Sequence, residues 1–157
     1  YQYYLDAVKR DGVPYDLITK ALPTIEGEVN NILSQLVDFQ MLFEMDGKNI
    51  NNYIVYDDDN VWPLELSSGM ERFISSLAIR VALINVSNLP RSNFLAIDEG
   101  WGTMDSDNLN SVYSLFQYLK SQFQFTLIVS HIDSMRDAVD TLLEIKKEKD
   151  YSNIMFD

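Results

Sequence analysis

Asp98 and Glu99 stand side by side directly after the apolar run Phe94-Leu95-Ala96-Ile97. A short continuous apolar run reads as a strand buried on both faces of a parallel sheet. It delivers two carboxylates to the C-terminal edge of that strand, where open α/β sheets bind their ligands. Adjacent acids at that place suit nucleotide hydrolysis. The first helps to hold a magnesium ion, usually through water, and the second orients and polarises the attacking water. The start of a plain surface loop would have the same residue types.

Three further groups could share that chemistry. Leu66-Ser67-Ser68-Gly69-Met70-Glu71 is a small-residue turn feeding a helix start. Free backbone N–H groups and the positive dipole end of a helix suit a phosphate. Ser68-x-x-Glu71 also has the spacing of an ordinary capping box, and a capped helix start can still bind an anion. His131 follows the apolar run Phe125-Thr126-Leu127-Ile128-Val129 and Ser130. If the two runs are neighbouring parallel strands, its imidazole shares an edge with the carboxylates and could bond a γ-phosphate. Last, Gly100-Trp101-Gly102-Thr103-Met104-Asp105 permits an unusual backbone path, with Asp105 also a good helix N-cap.

The elements that must position these groups are α/β in pattern. Tyr3–Arg10 reads as a short helix, and Asp11-Gly12-Val13-Pro14 as a break. A second helix from Tyr15 to Ala21 is interrupted at Pro23 and restarts on a Thr24 cap. Its face is then Ile25, Val29, Ile32, Leu33 and Leu36. Val37–Met45 alternates as a strand, Asp46-Gly47 signals a hairpin, and Tyr53–Tyr56 is the returning strand. Asp57-Asp58-Asp59-Asn60 is a turn before a third strand over Val61–Leu66. A helix follows from Ser68 to Val86, with Phe73, Leu77, Val81 and Ile84 as its stripe. Strand Phe94–Ile97, helix Asp105–Phe123 (stripe Leu109, Val112, Phe116, Leu119) and strand Phe125–Val129 form a parallel unit. A short helix near Asp133 and a strand over Thr141–Lys146 close the chain.

Composition bounds the reading. The 157 residues suit one compact domain or one lobe of a larger one, and 46% are hydrophobic, enough for a core. There is no cysteine and a single histidine, so disulfide scaffolds, thiolate metal sites and multi-histidine metal sites are excluded. No apolar run approaches the roughly 18 residues a membrane helix needs. The net charge is −12, which repels nucleic acid and disfavours direct DNA binding by this segment. A first residue Tyr1 leads us to expect a fragment or a processed chain.

The order of these groups resembles the C-terminal lobe of an ABC-type ATPase head. Ser67 to Met70 resembles the signature motif, usually LSGGQ. Leu95 to Glu99 resembles the Walker B strand, Gly102 to Asp105 the D-loop and His131 the switch histidine. Within that superfamily EGWGTMDSDNL is similar to the EGFGTLD form of the SbcC family, SMC-like ATPases of DNA double-strand-break repair. Asp11-Gly12-Val13-Pro14 with Glu26-x-x-x-Asn30 resembles the place where that family's coiled coil enters the head. Ser68 replaces the usual first glycine of the pair, and Met70 the usual Gln or Glu.

The resemblance implies an α/β, P-loop NTPase/ABC-type C-terminal lobe, with a mostly parallel sheet flanked by helices. Residues 1–36 would be a helical entry with an antiparallel hairpin region after it, and 37–157 the lobe itself. It also implies ATP and Mg²⁺ as cofactors. Asp98 would support the metal, Glu99 would be the general base and His131 would sense the γ-phosphate. Ser67, Ser68, Gly69 and Met70 would meet the γ-phosphate of an opposite head, and Asp105 would couple the two sites. The implied partners are an N-terminal P-loop lobe, a second head, an SbcD-like nuclease and DNA through the assembled complex, with no membrane and an intracellular location. None of the six glycines begins G-x-x-x-x-G-K-[ST], so the phosphate cradle would come from that other lobe. A transporter-type or other ABC ATPase, or a non-catalytic module of the same fold, is the alternative.

Overall fold

The computed structural model describes residues 1–9, 11–47, 49–98, 109–148 and 151–156. The chain divides into two compact units, Tyr1–Ser92 and Asn93–Asp157.

In the first unit α1 spans Gln2–Val8 and α2 spans Val13–Leu33. Gly12 joins them, because a Cβ there would lie 2.5 Å from the Ala7 carbonyl oxygen. Pro14 falls in the first turn of α2, where a missing N–H costs nothing, so the expected break is only the turn itself. Pro23 does not interrupt the helix, contrary to the sequence expectation, and Thr24 caps nothing. The carbonyl that loses its donor belongs to Thr19, and Thr19 and Pro23 are both exposed, so water can satisfy it. The opposite side of α2 buries Leu22, Val29, Ile32 and Leu33.

The hairpin expectation holds with other bounds: the first strand starts at Gln40 and not at Val37, and the returning strand is longer, from Asn49 to Asp57. β1 (Gln40–Asp46) and β2 (Asn49–Asp57) pair antiparallel, with Asp46 opposite Asn49 and Gly47 at φ +60° between them. β3 (Asn60–Pro63) adds to the far side of β2, and Leu64–Leu66 forms a 3₁₀ turn where the strand was expected to continue. Phe39, Met41 and Ile54 go into the core with Met70, Ile74, Leu77, Ala78 and Val81 of α3 (Gly69–Val86). The α3 stripe is therefore turned from the expected one: Leu77 and Val81 lie in it, whereas Phe73 and Ile84 are only half-buried.

In the second unit β4 (Phe94–Asp98), α4 (Leu109–Gln122) and β5 (Phe125–Val129) follow in order. The strands pair in parallel, from Phe94 opposite Phe125 to Asp98 opposite Val129. This is the strand–helix–strand unit expected from the sequence. The N–H groups of Gln124 and Phe125 both donate to the Asn93 carbonyl, which sets the register. α4 packs on β5 through a buried stripe that includes Val112, Phe116 and Leu119. The expectation of burial on both faces is corrected: Leu95, Ile97, Thr126 and Ile128 turn inward, while Phe94, Ala96, Phe125, Leu127 and Val129 are exposed. A run with no polar residue carries no alternation to distinguish one covered face from two. A 3₁₀ segment, Asp133–Ala138, precedes an antiparallel hairpin of β6 (Leu143–Glu148) and β7 (Tyr151–Phe156). β7 has no counterpart in the sequence expectation. Among the described residues the parallel ladder has two strands and the other ladders are antiparallel.

Candidate functional site

The turn into α3 is built by its own side chains. Ser68 is the N-cap: its Oγ accepts the Glu71 N–H at 3.2 Å, while Glu71 Oε2 accepts the Ser68 N–H at 2.6 Å. The capping box foreseen from Ser68-x-x-Glu71 is therefore formed. It satisfies two of the four N–H groups that a helix start leaves open. Among the described residues no acceptor meets the other two, on Gly69 and Met70. They are the donors this turn offers to an anion, together with the Ser68 hydroxyl, which accepts one bond and keeps a proton to give.

The remaining residues of the turn behave differently. Ser67 is buried, and its hydroxyl donates to the Leu64 carbonyl oxygen at 2.7 Å. Met70 is also buried, so the helix start presents its backbone and not its thioether. Residue-type reasoning could not separate these roles, because all four belong to the same small turn.

Glu71 has a second tie that sequence reasoning missed. Its Oε1 accepts the Tyr56 hydroxyl of β2 at 2.6 Å. Burial pushes the Tyr56 hydroxyl up to about 12, helped by the bond to Glu71, the Glu71 charge and Asp38. At Glu71 partial burial acts upward but is outweighed by the bonds from Tyr56 and Ser68, and the carboxyl is held below its usual value of 4.5. The Tyr56 ring lies 5.6 Å from Phe39 and 5.4 Å from Trp62, centroid to centroid.

In the second unit the register brings the predicted residues to one edge. Asp98 ends β4 opposite Val129, and His131 stands two residues beyond Val129. Both are exposed. Ser130, between Val129 and His131, has both its hydroxyl bonds local: its Oγ donates to Met135 Sδ at 3.3 Å and accepts the Ile132 N–H at 3.1 Å. Glu99 and Asp105, with the glycine-rich segment between them, lie outside the described residues. Among the described residues no group of three or more His, Asp or Glu could by itself hold a metal ion. A single exposed carboxylate fits Mg²⁺ nonetheless, since that ion is commonly bound by one or two carboxylates with waters and substrate phosphates.

Glu26 and Asn30, singled out in the sequence as a pair four apart, sit on α2 against the free edge of β1. Asn30 exchanges two bonds with the Met41 backbone, at 2.9 and 2.8 Å, and Glu26 Oε2 accepts the Phe43 N–H at 2.8 Å.

No family model matches the chain. It is similar to an uncharacterized protein, R555, of Acanthamoeba polyphaga mimivirus, at 36% identity over 99% of this chain and 13% of that protein. It is also similar to the SbcC component of the nuclease SbcCD of Rhodobacter capsulatus, at 33% identity over 52% of this chain and 7% of that protein. The chain thus spans a small part of the length of these relatives. Among solved structures, one from work on ATP-driven dimerization and DNA-stimulated activation of SMC ATPases superposes with a TM-score of 0.73. The match has 15% identity and covers 90% of this chain and 88% of that one. The SMC head domain from Thermotoga maritima gives a TM-score of 0.61 at 23% identity, over 90% of this chain and 50% of that one. The chain has the fold of an SMC ATPase head and an SbcC-like sequence. Within this fold the Ser67–Glu71 turn opens a helix of the first unit, and the Asp98–His131 edge belongs to the second.

Proposed function

We propose that the chain forms the C-terminal part of an ATP-binding and ATP-hydrolysing head, which dimerises around ATP and regulates a partner nuclease on DNA. The observation that carries this reading is the in-register β4–β5 pair, with Asp98 at its edge and His131 just past the opposite strand. Asp98 would hold Mg²⁺, which when bound neutralises charge on the phosphate oxygens. Glu99 takes the proton of the attacking water, and the His131 imidazole donates to the γ-phosphate. Gly69 and Met70 N–H groups with the Ser68 hydroxyl meet the γ-phosphate held by a second head, with Ser67 bracing the turn and Asp105 linking the two sites. The P-loop comes from a separate N-terminal lobe.

The name of the Rhodobacter capsulatus relative, a subunit of the nuclease SbcCD, supports an SbcD-like nuclease as partner, and an intracellular setting belongs to the same proposal. Among the described residues no helix is long and apolar enough to cross a membrane. DNA is met through the assembled complex, because a segment of net charge −12 has no general attraction for phosphate backbones.

The test is Glu99→Gln in the complete head. Loss of a positioned general base lowers turnover by about 100-fold or more. The variant should hydrolyse ATP at no more than that residual rate while its heads stay associated in ATP. Hydrolysis at the parental rate would remove Glu99 from the role.

A further inference from the structure

Tyr56 occupies an irregular place in the sheet. The β2–β3 register shifts between Val55 and Asp57, so Tyr56 faces no residue of β3 in the ladder. Such bulges re-aim a side chain and recur beside functional sites. Here the bulged tyrosine is held between Phe39 and Trp62, and its hydroxyl meets Glu71 at 2.6 Å. The other oxygen of Glu71 takes the Ser68 N–H at 2.6 Å. Both oxygens of the only acid in the first turn of α3 are thereby engaged.

That arrangement matters for an anion. A carboxylate at the third position of a helix is drawn to the same N–H groups that a phosphate would use. It also repels a phosphate placed there. A Glu71 side chain without the tyrosine is free to turn one oxygen toward the Gly69 and Met70 N–H groups. With the tyrosine, the carboxylate stays at the N-cap, and among the described residues those two donors remain open.

We propose that Tyr56 is a positioning residue for the signature turn: it holds Glu71 on Ser68 and so keeps the Gly69 and Met70 N–H groups available to a nucleotide phosphate. The inference rests on the assignment of this turn to a γ-phosphate in the proposed function. Tyr56 touches no nucleotide and acts through Glu71.

The experiment uses the full-length protein and a non-hydrolysable ATP analogue. Head association is followed by sedimentation, and analogue binding is followed at protein concentrations too low for association. Tyr56→Phe keeps the ring between its aromatic neighbours and removes only the hydroxyl. It should raise the analogue concentration needed for association about tenfold, the scale of one charge-assisted hydrogen bond. Binding to single heads should not change. Adding Glu71→Gln to Tyr56→Phe removes the loosened charge and should recover most of the loss, which a packing defect would not do. Association of Tyr56→Phe at parental concentrations overturns the inference, as does a loss that Glu71→Gln leaves untouched. Gly69→Asp places a carboxylate at the proposed phosphate position and separates the two readings. If it abolishes association while Tyr56→Phe is silent, only the role of Tyr56 falls. If Gly69→Asp is also silent, the turn meets no phosphate and both readings fall.

Discussion

Tyr56 and Glu71 titrate at opposite ends of the pH scale, and their coupling sets a window. Glu71 is held below its unfolded value of 4.5, with partial burial outweighed by the Tyr56 and Ser68 bonds. Its contribution is complete above 4.5 and is lost as pH falls through the folded value. Tyr56 is pushed from 10.0 to about 12, by burial first and by Glu71 second. Its neutral form is favoured by folding, so its contribution is complete below 10.0 and is lost as pH rises toward about 12. The stability difference between the parental protein and Tyr56→Phe, about 1 kcal/mol for a half-exposed bond to a charge, should be flat between those limits. Denaturant midpoints of both proteins across pH check this. A difference that grows above pH 10 would contradict the assignment. Of this site, the capping box was legible in the sequence because Ser68 and Glu71 are three apart. The tyrosine was not, because it arrives from another strand and its direction depends on a bulge that no local pattern marks.

At the scale of elements, the seam between α2 and β1 is held by side chains of the helix bonded to the backbone of the strand. Four residues along a helix advance about 6 Å, and two residues along a strand about 6.8 Å. Glu26 and Asn30 therefore stay level with Phe43 and Met41, and their side chains take up the open hydrogen bonds of the strand edge. An edge strand left open invites pairing with another chain, so this contact also covers the β1 edge of the sheet. Asn30→Ala removes two bonds and leaves a donor and an acceptor of Met41 unpaired. It should cost about 2–3 kcal/mol. Glu26→Gln keeps an oxygen that can accept the Phe43 N–H and should cost under about 1 kcal/mol. Urea unfolding midpoints would rank the two, and the reverse order would show that charge rather than edge pairing matters here. The sequence marks these residues as a pair but not their task, since the partners are backbone atoms. It misplaces the helix boundary at Pro23 for a related reason. Local propensity counts the lost bond, whereas the exposed position of Thr19 and the buried side of α2 decide the outcome. β7 went unread because its Tyr151-Ser152-Asn153-Ile154 stretch does not alternate; its pairing with β6 defines it.

For the molecule as a whole, two surface properties oppose one another. The β4–β5 pair leaves Phe94 47% and Phe125 58% exposed, with the rings stacked at 5.4 Å, and Leu127 and Val129 continue the same face. Contiguous apolar surface of this kind drives association. The net charge of −12 drives copies apart. The repulsion is long-ranged and screened by salt, with a Debye length of about 10 Å at 0.1 M and about 3 Å at 1 M. The apolar contact is short-ranged and is not weakened by screening. The isolated chain should therefore be mostly monomeric at low ionic strength and should self-associate as salt is raised, which is the reverse of an association held by ion pairs. Phe125→Glu places a charge within the apolar face and should suppress the salt-driven step while leaving the buried face of β5 intact. Light scattering at fixed protein concentration over a salt series tests both statements. A parental chain that stays monomeric at high concentration in 1 M salt would show that the exposed face is too small to bind a second copy.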